Sequence, residues 1–351
     1  MNKIYFVTNR RKEAQEEAPW FGTELETSLS DLRIGWADVS KRGTTFKINS
    51  VYIAPESTPS EARATPERRI APKEFSLFGE LKERMAGKAP DTVLFIHGFS
   101  YSFPEALVGA AHLKSVIAEG GLSDINLVIF TWPSDGKMIP YVSYASDRRD
   151  AKASGAAGGR ALLQLRDFLR KLAPEDRCLG RIHILAHSMG NYVLRNAIQS
   201  MLSESGQSAR ALFEQVLLLA PDEDDDALQL DYKLKPLAQV ARRTHVYFNA
   251  WDIALEISDK TKGNPRRLGT LGPQMSSAVP DNVVTVDASA ISRALKDLDR
   301  HHYYLKAPEM ASDMAAVLMG EAEDLIKGRA PVSGRRGAFR ILKQSRKAPK
   351  K

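Results

Sequence analysis

Short runs of β-branched and aromatic residues recur along the chain, separated by longer stretches whose apolar positions fall three and four apart. Two alternating periods of this kind predict strands joined by helices. Eight strands are predicted, at residues 3–8, 46–53, 92–97, 126–131, 181–186, 214–220, 244–248 and 282–287. From residue 92 onward the runs VLFIH, LVIFT, IHILA and VLLLA are apolar at nearly every position. That pattern fits strands covered on both faces of a parallel sheet, and the fold class is read as α/β. Over residues 158–172, Leu162, Leu165, Phe168, Leu169 and Leu172 share one helical face.

The glycine-rich stretch SGAAGG at 154–159 has no strand before it and no Lys-Ser/Thr after it, so it is read as close helix packing rather than a phosphate loop. Residues 54–72, rich in Pro, Ser and charge, are read as a surface linker inside a domain spanning 1–328.

Composition narrows the classes further. With 43% hydrophobic and 26% charged residues, the 351-residue chain is globular rather than collagen-like, disordered or disulfide-stapled. The lone Cys178 has no intramolecular disulfide partner, which fits a reducing compartment. The stretch Ile4 to Val7 is too short for a secretion signal and no run approaches 18 apolar residues, so a cytoplasmic, soluble protein is expected. The net charge of +7 reflects eight cations without an acid in residues 335–351, leaving −1 on the rest. Residues 329–351 are therefore read as a basic, disordered tail able to meet an acidic partner or membrane surface, and no specific nucleic-acid site is predicted.

The most informative segment is RIHILAHSMGNYVLRNAI, residues 181–198, where an apolar strand enters Ala186-His187-Ser188-Met189-Gly190 and then a helix. A sharp turn there lifts the Ser188 hydroxyl above the sheet, and small residues at 186 and 190 let strand and helix pass closely. Serine at neutral pH needs a base, and the base an orienting acid. When acid and histidine follow the nucleophile in the chain, His245, His301 and His302 remain. His245 opens a predicted strand and is read as a strand-edge residue. His301 is preferred and His302 is the alternative, because neighbours cannot both present imidazole in one geometry. Asp252 is the preferred acid and Asp222 the alternative; both follow strand ends.

The run Asp222 to Asp226 lacks a calcium-loop pattern and is read as an acidic cap at a helix start. The turn after LFIHGF offers the Phe99 N–H as one oxyanion donor, and the Met189 N–H is the other. Trp132, Tyr141, Tyr144 and Trp251 are read as core rather than pocket aromatics. No cofactor or metal is expected.

The succession Ile96-His97-Gly98-Phe99, Thr131-Trp132-Pro133-Ser134, Ala186-His187-Ser188-Met189-Gly190, Ala220-Pro221-Asp222 and His301-His302-Tyr303-Tyr304, with the opening YFVTNR, resembles the uncharacterised bacterial esterase/lipase-like family of the α/β-hydrolase superfamily. The resemblance covers residues 1 to about 318. It implies an eight-stranded, mostly parallel sheet with helices on both faces and a triad of Ser188, Asp252 and His301. The expected activity is cleavage of a small-molecule carboxylic ester through an acyl-enzyme. The competing expectation is a non-catalytic binding or scaffold protein of the same fold with a basic docking tail.

Overall fold

A computed structural model of the chain describes residues 3–13, 21–26, 32–54, 83–84, 90–134, 142–171, 180–205, 211–256, 266–295 and 300–343. Its strands, in chain order, are β1 (Lys3–Thr8), β2 (Arg10–Lys12), β3 (Phe21–Leu25), β4 (Arg33–Arg42), β5 (Thr45–Ile53), β6 (Asp91–Ile96), β7 (Ile125–Thr131), β8 (Ile182–His187), β9 (Phe213–Leu219), β10 (Ala241–Phe248), β11 (Val283–Asp287), β12 (Arg329–Pro331) and β13 (Ala338–Ile341). Among the described residues, eleven of them form one sheet in the order β12-β13-β11-β10-β9-β8-β6-β7-β1-β4-β5, while β2 and β3 pair separately.

All neighbours from β13 to β1 are parallel; the pairs β1–β4, β4–β5 and β12–β13 are antiparallel. The long helices are α1 (Phe103–Glu119), α2 (Val142–Lys171), α3 (Gly190–Ser205) and α4 (Pro308–Met319). One core holds α1 and α4 against one face of the sheet, and a second holds α2 and α3 against the other. This double cover is why every residue of β7 and β8 is buried and why their sequences are apolar at all positions but Asn126, Thr131, His183 and His187.

The α/β class and the two helical layers are as expected; the strand count of the main sheet is corrected from eight to eleven among the described residues. The additional strands lie toward the sheet edges. In β4, RIGWADVSKR buries alternate positions and carries charge on its other face, a weaker signal than a continuous apolar run. Helix α2 starts well before residue 158 and runs through Gly155, Gly158 and Gly159, which lie against α3: a Cβ at these positions would sit 2.4, 2.9 and 2.7 Å from Asn196, Ala197 and Ser200. Glycine here trades helix propensity for close helix contact. Helix α1 begins at a capping box, where the Ser102 hydroxyl accepts from the Glu105 amide and the Glu105 carboxylate accepts from the Ser102 amide. Residues 55–82 lie outside the described residues, and with them all but the first position of the expected linker.

The expected tail is also corrected. Residues 329–331 and 338–341 belong to the sheet, so the division at 328 falls inside it; residues 344–351 lie outside the described part. Arg329 explains why this basic segment folds. Its guanidinium is almost completely buried and donates to Asp313 at 2.6 and 2.8 Å and to the Tyr247 hydroxyl at 3.0 Å, while Tyr247 donates to Asp313 at 2.6 Å. Removing one member of a buried pair strands the other charge. Arg329→Met is therefore expected to destabilise the protein by about 3 kcal/mol in guanidinium melts, and Arg329→Met with Asp313→Leu by clearly less.

Candidate active site

The chemistry-bearing residues gather at the C-terminal ends of the parallel strands, where loops after β6, β8, β9, β10 and β11 meet. Ser188 follows β8 directly and has φ +53, the left-handed region that side-chain-bearing residues seldom enter. The backbone around it is held at several points. Ser188 N–H donates to Leu219 O (3.0 Å). Its carbonyl accepts from the Asn191 amide (3.0 Å), the Asn191 side chain (3.0 Å) and the Asp222 amide (3.2 Å). The Asn191 side chain also reaches Ala186 O at 3.1 Å and so ties both limbs of the bend.

Two glycines are required by close approach. A Cβ on Gly190 would lie 2.5 Å from the carbonyl oxygens of Ile96 and His97, and one on Gly98 would lie 2.9 Å from the Ser188 Cβ. The elbow and the loop after β6 therefore touch. Ala186, in place of the more usual glycine, is fully buried.

His301 arrives from the loop that follows β11. Its Nδ1 lies 2.7 Å from Asp252 Oδ2, and Asp252 is essentially solvent-free. The other Asp252 oxygen accepts from the Leu255 amide at 3.0 Å, which fixes the carboxylate. Asn249, at the end of β10, secures the histidine loop by donating to Ser292 Oγ (2.7 Å) and Arg300 O (2.9 Å). Tyr303 secures it from below: its hydroxyl donates to Tyr247 O (3.0 Å) and accepts from the Ala220 amide (3.2 Å).

His187, next to Ser188, has its ring 4.6 Å from that of His301 and 5.0 Å from that of His302. Burial, reinforced by the neighbouring His301 and His302, pushes the His187 imidazole well below its ordinary range, so it is uncharged at neutral pH. The rings of His301 and His302 are nearly perpendicular, and His302 Nε2 faces the Tyr101 hydroxyl at 3.4 Å. Asp222 is engaged by Arg267, whose Nε is 3.3 Å away, and by the Tyr144 hydroxyl. Tyr144 also packs near Phe99, ring centroids 6.0 Å apart. Met189 is fully buried, and Phe99 partly so.

Three readings from the sequence need correction. Residues 222–226 do not start a helix: the chain turns there, and the acids meet cations instead, Glu223 with Arg195 (3.1 Å) and Asp224 with Arg267 (2.6 Å) and Lys233 (3.0 Å). Glu223 is pushed up to about 7 by its complete burial, opposed by Arg195 and Arg148. Second, His245 is inside β10 rather than at a strand edge, buried and 3.2 Å from Gln215 Oε1. Third, the aromatics divide: Trp132 is core, Tyr144 reaches the Asp222 carboxylate, and Trp251 is 43% exposed, while Tyr141 lies outside the described residues. Among the described residues no group of three or more His, Cys, Asp or Glu is arranged to hold a metal ion, and no helix is long and apolar enough to cross a membrane.

Sequence reasoning missed Asn191, Asn249, His187 and Arg267. The first two carried a usable signal, a polar amide at the first turn of a buried helix and at the end of a buried strand. For Arg267, distant in sequence from Asp222 and Asp224, nothing local marks the partner.

The fold and its loop-borne site define an α/β hydrolase. The chain belongs to the alpha/beta hydrolase family of unknown function DUF900, whose sequence model matches residues 73–321. It is 21% identical over 386 aligned positions to the uncharacterized protein alr1448 of Nostoc sp., an alignment spanning 90% of this chain and 92% of that one. Among solved structures it is similar to a Trichoderma reesei cutinase bound to a phosphonate inhibitor, at 13% identity and TM-score 0.29, over 66% of this chain and 77% of the cutinase. It is also similar to phospholipase PlaB from Legionella pneumophila in complex with thio-NAD, at 13% identity and TM-score 0.25, over 60% and 40% of the two chains.

Proposed function

We propose that the protein is a serine hydrolase of carboxylic esters that works through an acyl-enzyme. The observation that carries the reading is the buried 2.7 Å contact between Asp252 and His301, delivered from two loops to a ring packed beside the residue preceding Ser188. On this reading His301 Nδ1–H donates to Asp252, leaving Nε2 unprotonated to take the Ser188 proton as Oγ attacks the ester carbonyl. The C–O bond to the alcohol then breaks, and His301 returns the proton to the leaving oxygen. Water, deprotonated by the same imidazole, then attacks the acyl-enzyme; the bond to Ser188 Oγ breaks, His301 returns the proton to that oxygen, and the acid is freed.

The transient imidazolium is stabilised by Asp252 and meets no second cation at His187, which stays neutral. The amides of Phe99 and Met189 are the proposed oxyanion donors. They flank the nucleophile on two loops, and none of the hydrogen bonds among the described residues uses either N–H. A fluorophosphonate probe is expected to label the full-length protein at Ser188, located by peptide mapping. Labelling at another residue would reassign the nucleophile, and no labelling would move the reading to a non-catalytic binding protein.

A further inference from the structure

The loop from His97 to Tyr101, which carries Phe99, is pinned by side chains that the reaction itself does not use. Trp132 Nε1 donates to His97 O (3.0 Å), the Ser134 hydroxyl accepts from the Tyr101 amide (3.2 Å), and Arg10 Nη2 donates to Tyr101 O (2.6 Å). The imidazole of His97 sits inside this cage, fully buried and stacked on the Trp132 ring with centroids 5.3 Å apart and planes within 8°.

Its two nitrogens have different partners. Nε2 lies 3.2 Å from the Trp132 backbone N–H, a group that can only donate, so Nε2 accepts. Nδ1 lies 2.8 Å from Gly98 O, which can only accept, so Nδ1 carries the proton. Each contact independently selects the same tautomer. Thr131 agrees with both: its Oγ1 accepts from Arg10 Nε (3.0 Å), which leaves its own proton for His97 Nε2 (3.2 Å).

We propose that His97 is a positioning residue for the oxyanion hole, locked as the Nδ1–H tautomer by Thr131 and Trp132 and fixing with that proton the peptide between Gly98 and Phe99. The inference rests on the serine-hydrolase reading above. Gly98 C=O and Phe99 N–H belong to one planar trans peptide and point in opposite directions, so seating the carbonyl on His97 sets the direction of the Phe99 donor. A carbonyl that accepts a hydrogen bond also polarises its amide, which strengthens the N–H. Arg10 stands at the far end of the relay, through Thr131 and His97 to the peptide. Burial, with the nearby Arg10 charge, lowers the His97 imidazole to about 3, so the tautomer persists through the neutral and mildly acidic range.

The test compares full-length wild type with His97→Leu, His97→Asn and Thr131→Val. Readouts are kcat and KM on p-nitrophenyl butyrate, inhibition by a trifluoromethyl ketone that forms the tetrahedral adduct, and histidine 15N shifts. His97→Leu is expected to lose about 10²-fold in kcat with KM nearly unchanged, and to weaken the ketone in parallel. His97→Asn, which keeps a donor near the Nδ1 position, is expected to recover about tenfold of that loss.

A His97→Leu protein that matches wild type in kcat and ketone affinity overturns the proposal, as does a wild-type 15N spectrum with the His97 proton on Nε2. Should His97→Leu fail to fold, Thr131→Val decides: a several-fold lower kcat with shifted His97 nitrogens supports the relay, and unchanged values end it. A wild type that neither turns over ester nor labels at Ser188 ends the hydrolase reading, and the positioning role with it. Active, labelled wild type beside an equally active His97→Leu ends the positioning role alone.

Discussion

Replacing Ser188 with alanine is expected to reduce kcat for p-nitrophenyl butyrate by about a million-fold, the scale on which loss of an acyl-enzyme nucleophile acts. The same change should leave the thermal midpoint within a few degrees. The strained φ of +53 belongs to the backbone and is shared by both residues, and the hydrogen bonds that shape the elbow run through the Ser188 main chain. An alanine variant that folds normally and still hydrolyses ester at the wild-type rate would remove Ser188 from the reaction. Comparing kcat with the midpoint separates chemistry from stability.

The second large effect is expected at Asp252. Asn in its place keeps the shape but brings an N–H₂ group that can donate toward His301 Nδ1, favouring the tautomer with the proton on Nε2. That nitrogen could no longer accept the serine proton, and kcat should fall by about 10⁴-fold. The control is Asp222→Asn, expected to stay within about tenfold of wild type because its carboxylate is held by Arg267 and Tyr144 and is assigned no proton-transfer step. Its effect should appear mainly in stability, since Arg267 is fully buried and loses part of its counter-charge. If Asp222→Asn were the inactive variant and Asp252→Asn the active one, the orienting acid would be reassigned.

Much of this organisation was legible in the chain because burial writes itself into local composition. Strands covered on both faces favour near-continuous apolar runs, so β6, β7, β8 and β9 stood out and their ends marked the loops that hold the candidate site. The elbow was legible for a steric reason, since a bend that tight needs small residues at fixed offsets from Ser188. Three strands toward the ends of the sheet were faint: β4 is half polar, and β12 and β13 are short and cationic, so their sequences look like loop or tail until Asp313 and Tyr247 are seen to receive Arg329.

By itself the sequence determined the layered α/β class, the tight turn at Ser188 and the short set of candidate acids and histidines beside strand ends, because each is read from residues within a few positions of one another. Only the tertiary structure decided that Asp252 rather than Asp222 meets His301, that Asp222 belongs with Arg267, and that Arg10, Thr131 and His97 converge on one peptide. These pairings join side chains separated by tens to more than a hundred positions. Hydrogen-bond partners at such separations are chosen by how the loops pack over the sheet ends, and nothing in a local pattern encodes that choice.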